Sequence, residues 1–205
     1  MPDPSLTTYD ATDPSGLVLM LHGGKQRSSQ PVDGRSASWR RTDAMARAIS
    51  PALRRAGASV WVLRYRARGW NSAAPVEDAR WALDEVRRRH GRLPVVLLGH
   101  SMGARTSVRV ADDPLVTGVV GLAPWLQPDD PVEALAGKHL VAAHGSRDRI
   151  TSAKLTRAYV RRAAEIATAE FVDMGPVGHY LLRRIPAWNA LARERSQAML
   201  PLQTG

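Results

Sequence analysis

Short apolar runs alternate with longer amphipathic stretches along most of the chain. Each run is too short for a typical helix and is therefore predicted to be a β-strand. The predicted strands are residues 17–21, 59–64, 94–98, 116–122, 139–143 and 169–173. The stretches between them carry helix-compatible spacings, and Gly57 and Gly91 are placed as helix stops. The predicted helices are residues 40–56, 76–90, 102–111, 152–166 and 179–198.

This alternation predicts an α/β fold with a doubly wound, mostly parallel sheet of six strands flanked by helices. No internal repeat or linker divides the chain, so we expect a single domain over residues 1–205, with 1–16 as an N-terminal extension and 199–205 as a C-terminal tail. Right-handed crossovers between parallel strands place the carboxyl ends of all strands at one edge of the sheet. Residues that follow the strands should meet there.

The longest irregular stretch covers residues 23–39 and leaves the first predicted strand at that edge. A loop of this length in a compact domain usually has a function. We therefore expect it to form a wall or cover of a site.

A sharp turn centred on Ser101 carries the main chemical signal. The sequence GHSMG at residues 99–103 follows the apolar run 94–98 and begins a helix-compatible stretch. Between a strand and a helix, this Gly-x-Ser-x-Gly pattern is typical of a nucleophile elbow, which strains the serine backbone and lifts its hydroxyl above the sheet edge. The pattern predicts Ser101 as a nucleophile, and a tight turn without chemistry is the alternative.

With this turn, the chain resembles the α/β-hydrolase family from about residue 17 to residue 188. The resemblance implies an α/β-hydrolase fold and the chain order nucleophile, acid, histidine. The sequence HGSRDRI at residues 144–150 matches the family's acid loop, which implies Asp148 as the acid. The sequence GHY at residues 178–180 lies past the last predicted strand and matches the histidine position, which implies His179 as the general base.

The chemistry needs all three groups. A serine hydroxyl is a weak nucleophile at its ordinary pKa, so an imidazole must accept its proton, and an acid must orient that imidazole. Asp129 and Asp130 follow another predicted strand and stay open as alternative acids, although no glycine turn frames them. His179 could instead cap the start of a helix.

The resemblance also implies an oxyanion hole made of two backbone N–H groups. One would come from Met102, the residue after the nucleophile, and the other from the loop after the first central strand. That loop reads HGGK at residues 22–25, so the second donor is Gly24 or Lys25. Only two glycines follow His22, which differs from the three-glycine form of many lipases.

Several aromatic residues and histidines lie beside these motifs. Trp70 and Trp125 both follow predicted strands, so they are candidates for lining a substrate pocket, with ordinary packing as the alternative. The three histidines beside the motifs resemble turn-stabilising residues of the family and are interpreted as structural. They are His22, His100 and His144.

The short connections predict an open site. Only residues 124–138 separate two of the predicted strands where many relatives insert a helical cap, so there is no room for a cap domain. Sixteen residues before the first predicted strand leave no N-terminal hairpin. A serine at the elbow argues against dehalogenase and epoxide hydrolase chemistry, which the family performs with an aspartate there.

The amino-acid composition excludes several further classes of protein function. The chain has no cysteine, which excludes thiol nucleophiles, disulfides and thiolate metal sites. The net charge of +10 comes mainly from arginines, many in helical stretches where a solvated face is the ordinary outcome. We see no metal cluster, no dinucleotide fingerprint after a predicted strand and no nucleic-acid-binding module, and so expect no cofactor, no metal and no specific nucleic-acid partner.

These observations predict a serine hydrolase that cleaves a small-molecule carboxylic ester or thioester through an acyl-serine intermediate. An acyltransferase would use the same three residues, and a noncatalytic binding protein could keep the fold. With no apparent signal peptide or membrane span, we expect a cytoplasmic protein. The sequence makes no prediction of oligomeric state.

Overall fold

The computed structural model describes residues 2–202 and contains one seven-stranded sheet. The strand order is β1-β3-β2-β4-β5-β6-β7. The strands are β1 (Ser5–Tyr9), β2 (Gly16–Leu21), β3 (Ala58–Arg64), β4 (Val95–His100), β5 (Val116–Leu122), β6 (His139–His144) and β7 (Thr168–Asp173). Strands β2 to β7 pair in parallel, which confirms the predicted doubly wound α/β fold.

The sheet differs from the prediction in having seven strands instead of six. The additional strand, β1, lies in the predicted N-terminal extension and pairs antiparallel with β3 at one edge. Its sequence, SLTTY, is mostly polar, and no residue of the strand is fully buried. An edge strand is paired on one side only, so it does not require the continuous apolar run that marks the buried parallel strands.

Within the described residues, five helices flank the sheet, and they begin and end close to the predicted positions, with one exception. The helices are α1 (Ala37–Arg55), α2 (Ala74–His90), α3 (Met102–Arg109), α4 (Ala153–Ala163) and α5 (Ile185–Ala198). Helix α5 was predicted to begin at residue 179 but begins at Ile185, where Pro186 occupies the first turn. Residues 179–184 instead form turns, with Leu181 and Arg184 at positive φ.

The helices cover both faces of the sheet and complete two hydrophobic clusters. Residues of α2, α3 and α4 pack on one face, whereas residues of α1 and α5 pack on the other. Strands β2 and β4 are buried along their whole length, as expected for central parallel strands. This burial fixes the carboxyl ends of the strands relative to one another.

The connection between β5 and β6 contains no cap domain. Its only regular element is a single 3₁₀ turn, Glu133–Leu135, as the short connection predicted. Within residues 2–202, no helix combines the length and the apolarity needed to cross a membrane.

Candidate active site

Ser101 lies in the sharp turn between β4 and α3, at the carboxyl edge of the sheet. Its backbone has φ 55° and ψ −115°, a conformation that costs on the order of 1–3 kcal/mol for a residue with a side chain. Backbone hydrogen bonds hold this conformation: the Ser101 N–H donates to Leu122 O at 3.0 Å, and Ser101 O accepts from Trp125 N at 3.2 Å. The turn therefore has the strain that the GHSMG pattern predicts.

The two glycines of the pattern are required by close contacts rather than by positive φ. A Cβ atom on Gly99 would collide with the backbone of Ala104 in α3, and one on Gly103 would collide with the Leu21 carbonyl at the end of β2. Both contacts are with backbone atoms, which cannot move aside easily. The elbow can thus pack against β2 and α3 only with glycine at these positions.

The structure brings together the three residues that the sequence predicts to be catalytic. His179 Nε2 lies 3.0 Å from Ser101 Oγ, and His179 Nδ1 lies 2.8 Å from Asp148 Oδ2. Ionised Asp148 can only accept, so His179 Nδ1 carries the proton and Nε2 accepts from the serine hydroxyl. Ser101 and His179 are each 6% exposed, so this hydrogen-bonded chain is shielded from solvent but reachable from one side.

Asp148 is held by five hydrogen bonds. Its Oδ1 accepts from the backbone N–H groups of Ile150 and Thr151 at 2.8 and 2.9 Å. Its Oδ2 accepts from His179, from His144 Nε2 at 3.1 Å and from the Thr151 hydroxyl at 2.9 Å. Burial by itself would raise the pKa of Asp148, but the bonds from His144, His179 and the backbone hold that pKa far below its usual range.

His144 and Thr151 therefore contact the proposed acid directly, which the sequence interpretation missed. His144 is fully buried at the end of β6, and its Nδ1 lies 2.9 Å from Thr156 Oγ1 on α4. Thr151 Oγ1 also lies 3.1 Å from His179 Nδ1. The signal in the sequence that could have identified them is their spacing from the proposed acid: His144 lies four residues before Asp148, and Thr151 lies three residues after it.

The backbone N–H groups predicted to form the oxyanion hole differ in their availability. The Lys25 N–H donates to Arg68 O at 2.7 Å and is therefore occupied. Within residues 2–202, the N–H groups of Gly24 and Met102 make no hydrogen bond to another protein group. A Cβ on Gly24 would collide with the Met102 side chain, so the two residues are adjacent. Because its N–H group is free, Gly24 is favoured over Lys25 as the second donor of the oxyanion hole.

A cavity of about 220 Å³ lies beside Ser101. One part of its wall comes from the 23–39 stretch, as expected for that loop, through Gly23 and Gly24. Helix α1 contributes Arg41, together with two small residues in its first turn. Tyr180 and Leu182, each 60% exposed, form an apolar rim on the segment that follows His179.

Comparison with known proteins identifies the family of this chain. The sequence profile of the Alpha/beta hydrolase family matches residues 18–204, which is most of the chain. The chain belongs to the alpha/beta hydrolase family. No curated protein sequence matches it.

Solved structures show the same fold at low sequence identity. An alpha-beta serine hydrolase homologue from Coxiella burnetii is 19% identical, with a TM-score of 0.72 over 94% of this chain and 91% of that one. An α/β serine hydrolase without a lid from Xanthomonas campestris is 18% identical, with a TM-score of 0.72 over 98% and 91%. Est1E from Butyrivibrio proteoclasticus, solved with ferulic acid, is 11% identical, with a TM-score of 0.67 over 96% and 95%.

Trp70 and Trp125, the candidates for the substrate pocket, are not among the residues that line the cavity beside Ser101 in this α/β hydrolase. The two indole rings meet edge to face at 6.1 Å. The Arg105 guanidinium stacks on both of them, at 4.5 Å from Trp70 and 4.7 Å from Trp125. Both tryptophans thus pack against each other and against a cation of helix α3, which is the packing role left open for them.

The alternative acids lie outside the hydrogen-bonded chain of this α/β hydrolase. Asp130 is fully buried and binds Arg109 at 2.7 Å and Arg105 at 2.9 Å. Asp129 is exposed. The buried Asp130 carboxylate thus neutralises two arginines and does not contact His179.

Two further histidines of this α/β hydrolase are buried close to the turn. His22 Nδ1 lies 2.6 Å from Gly23 O, and burial lowers its pKa to about 4. His100 Nε2 lies 3.0 Å from the carbonyl oxygen of His179, and its Nδ1 has no hydrogen-bond partner within residues 2–202. Burial, followed by the proximity of His179, lowers the pKa of His100 to about 3. Both are therefore neutral near pH 7.

Proposed function

We propose that this α/β hydrolase is a serine hydrolase that cleaves a carboxylic ester or thioester through an acyl-serine intermediate. The observation that carries the proposal is the chain of two hydrogen bonds, 3.0 and 2.8 Å, that joins Ser101 to His179 and His179 to Asp148. A nucleophile, a base and an orienting acid in hydrogen-bond contact are what acyl transfer to serine requires.

In the first half of the reaction, Ser101 Oγ attacks the carbonyl carbon while His179 Nε2 takes the hydroxyl proton. The negative oxygen that develops would accept hydrogen bonds from the free N–H groups of Met102 and Gly24. Collapse of this intermediate breaks the bond to the alcohol or thiol, which leaves with the proton from His179. Water then attacks the acyl-serine by the same route and releases the acid.

The size of the cavity favours small substrates. About 220 Å³ is below the range of roughly 300–1,000 Å³ that is usual for sites of drug-sized ligands. The apolar rim formed by Tyr180 and Leu182 suits a short hydrocarbon group. We therefore expect kcat/KM to fall along a series of nitrophenyl esters from short to long acyl chains.

Reaction with a fluorophosphonate probe, followed by mass mapping of the modified peptide, tests the proposal directly. We expect labelling at Ser101 alone, and Ser101→Ala should abolish labelling and lower kcat on the order of 10⁶-fold. Ser29→Ala is the matched control, because Ser29 is exposed in the 23–39 loop and should react no differently from wild type. A folded protein that neither reacts nor hydrolyses any ester would contradict the proposal and favour the noncatalytic alternative.

Acyl transfer is distinguished from hydrolysis by its products, since both would pass through the same acyl-serine. Addition of an alcohol or amine acceptor during turnover should leave the free acid as the main product if water is the natural acceptor. Conversion of most of the acyl group to a new ester or amide would instead identify an acyltransferase.

A further inference from the structure

Arg41 places a cation in the wall of the cavity beside Ser101. It lies in α1, is half-buried, and lines the cavity together with His100 and Ser101. One of its N–H groups donates to the carbonyl oxygen of Tyr180 at 2.6 Å. The guanidinium is close enough to His100 for its charge to contribute to lowering the pKa of that ring. The cation is thus near the turn that carries the nucleophile.

This cation has no carboxylate partner in the described part of the chain. Among residues 2–202, no salt bridge joins Arg41 to an Asp or Glu, whereas the buried Asp130 pairs with Arg105 and Arg109. The carboxylate of the proposed machinery, Asp148, already accepts five hydrogen bonds. Burial of an unpaired cation costs free energy, which an anion bound beside it would offset.

Among the described residues that line this cavity, none is an Asp or Glu that would repel an anion. His100 is neutral near pH 7, Ala37 and Leu182 are apolar, and Gly23 and Gly24 contribute backbone only. Within residues 2–202, the Arg41 side chain makes one hydrogen bond, to the Tyr180 carbonyl oxygen, and a guanidinium has five N–H groups, so further donors can bind a ligand. A planar guanidinium matches a carboxylate with two parallel hydrogen bonds.

We propose that Arg41 binds a carboxylate group of the substrate, so that the preferred substrate is a small ester or thioester that carries a negative charge. This inference rests on the proposed function for its reaction, but the binding of the anion is a separate property. The competing explanation is that Arg41 only holds the segment after His179 in place through the Tyr180 carbonyl.

Two pairs of esters of similar shape distinguish these explanations. Methyl butyrate and monomethyl succinate differ by a carboxylate on the acyl side, and phenyl butyrate and 4-carboxyphenyl butyrate differ by one on the leaving group. In wild type, the charged member of one pair should have the higher kcat/KM. Arg41→Gln should lower the charged-to-neutral ratio for that pair by about 10- to 100-fold, as expected for hydrogen bonds to a charged group.

Arg40→Gln is the matched control. Arg40 is the exposed neighbour of Arg41 on α1 and does not line the cavity, so this variant removes the same net charge without touching the site. Its ratio should equal that of wild type, which separates local binding from general attraction by the net charge of +10. Arg41→Lys keeps the charge but not the planar fork, and should restore only part of the preference.

Two outcomes would overturn the inference. The first is a wild-type protein with no preference for the charged member of either pair. The second is an equal loss of kcat/KM for both members in Arg41→Gln, which would indicate that Arg41 only positions the 179–182 segment.

Calorimetry with Ser101→Ala separates this inference from the proposed function. The charged ester should bind this variant more tightly than its neutral partner, and Arg41→Gln in the same background should abolish the difference. If wild type hydrolyses nothing but this difference is found, the proposed function fails and the anion site stands. If esters are hydrolysed but no difference is found, the anion site fails alone.

Discussion

The two ends of the hydrogen-bonded chain from Ser101 to Asp148 differ in how many of their polar groups already have partners. At the acid end, Asp148 accepts five hydrogen bonds, and both ring nitrogens of His144 lie within hydrogen-bond distance of oxygen atoms. At the nucleophile end, within residues 2–202, the N–H groups of Gly24 and Met102 and the Nδ1 atom of His100 have no protein partner.

This difference follows from the work that each end would do. A group that orients another side chain performs best when its own position is over-determined, because any rotation of the carboxylate would move the imidazole. A group that binds a developing charge must be left unpaired until the substrate arrives. The protein itself therefore completes the hydrogen bonds of the acid end, which we call the closed end. The hydrogen bonds of the nucleophile end, which we call the open end, are left for a ligand to complete.

The largest effect should come from Asp148→Asn at the closed end. An amide can donate to His179 Nδ1, which would favour the tautomer with its proton on Nε2, where it can no longer accept from Ser101. We expect kcat to fall about 10⁴-fold, as for the equivalent change in a serine protease. Steady-state kinetics with a short nitrophenyl ester measures this loss.

Asp129→Asn serves as the control for Asp148→Asn, because Asp129 is an exposed aspartate that the sequence left open as an acid. It should retain wild-type kinetics. Loss of activity in Asp129→Asn, with activity retained in Asp148→Asn, would contradict the proposal and identify Asp129 as the orienting acid.

Much of this site could be predicted from the sequence because its parts follow buried parallel strands. The runs that end before Ser101, Asp148 and Gly24 are continuously apolar, so their ends could be located within a residue or two, and parallel topology places those ends at one edge. The availability of Gly24 over Lys25 could not be predicted, since it depends on a long-range hydrogen bond from Lys25 to Arg68.

Features that depend on tertiary contacts were missed for the same reason. The contact of His144 with Asp148 requires the β6–α4 turn to fold back, and the sequence shows only their spacing. Strand β1 is an edge strand with little apolar content, so periodicity does not reveal it. The late start of α5 had a local signal in Pro186, which favours the first turn of a helix.

A smaller loss should follow a change at the open end, Gly24→Ala. The added Cβ would collide with the Met102 side chain and lie 2.5 Å from the Arg68 carbonyl oxygen, which is backbone, so the loop must shift. A shift would remove the Gly24 N–H from the developing oxyanion and lower kcat by about 10²- to 10³-fold, with KM less affected. The kcat and KM of a short nitrophenyl ester measure this separation.

Gly34→Ala tests whether the effect is specific to the donor. Gly34 lies in the same irregular stretch, and an added Cβ there would meet no atom within 4 Å. We expect wild-type kcat for Gly34→Ala. If Gly24→Ala and Gly34→Ala had equal activity, the 22–25 loop would not supply a donor to the oxyanion hole.

The smallest effect concerns the stability of the open end in mild acid. His22 and His100 have folded-state pKa values of about 4 and about 3, below the value of about 6.5 in an unfolded chain. The unfolded state therefore binds more protons below pH 6.5, and the free energy of unfolding must fall as the pH falls from 6.5 towards these folded values. By pH 5, each histidine should cost about 2 kcal/mol of stability relative to pH 7.5.

The closed end should respond in a lower pH range. The pKa of Asp148 is depressed in the folded state, so its stabilising contribution is present above an unfolded pKa of about 3.9 and is lost only as the pH falls below that value. Urea unfolding between pH 7.5 and 5 thus does not report on Asp148.

Urea unfolding of His100→Gln isolates one of the two histidines. Its free energy of unfolding should fall by about 2 kcal/mol less than that of wild type between pH 7.5 and 5, whatever its absolute stability. His139→Gln removes a histidine that is exposed at the start of β6 and should keep the wild-type dependence. If His100→Gln and wild type showed the same dependence, burial of His100 would not oppose its protonation, and a charged imidazolium would have to be accommodated beside Ser101 and the cation of Arg41.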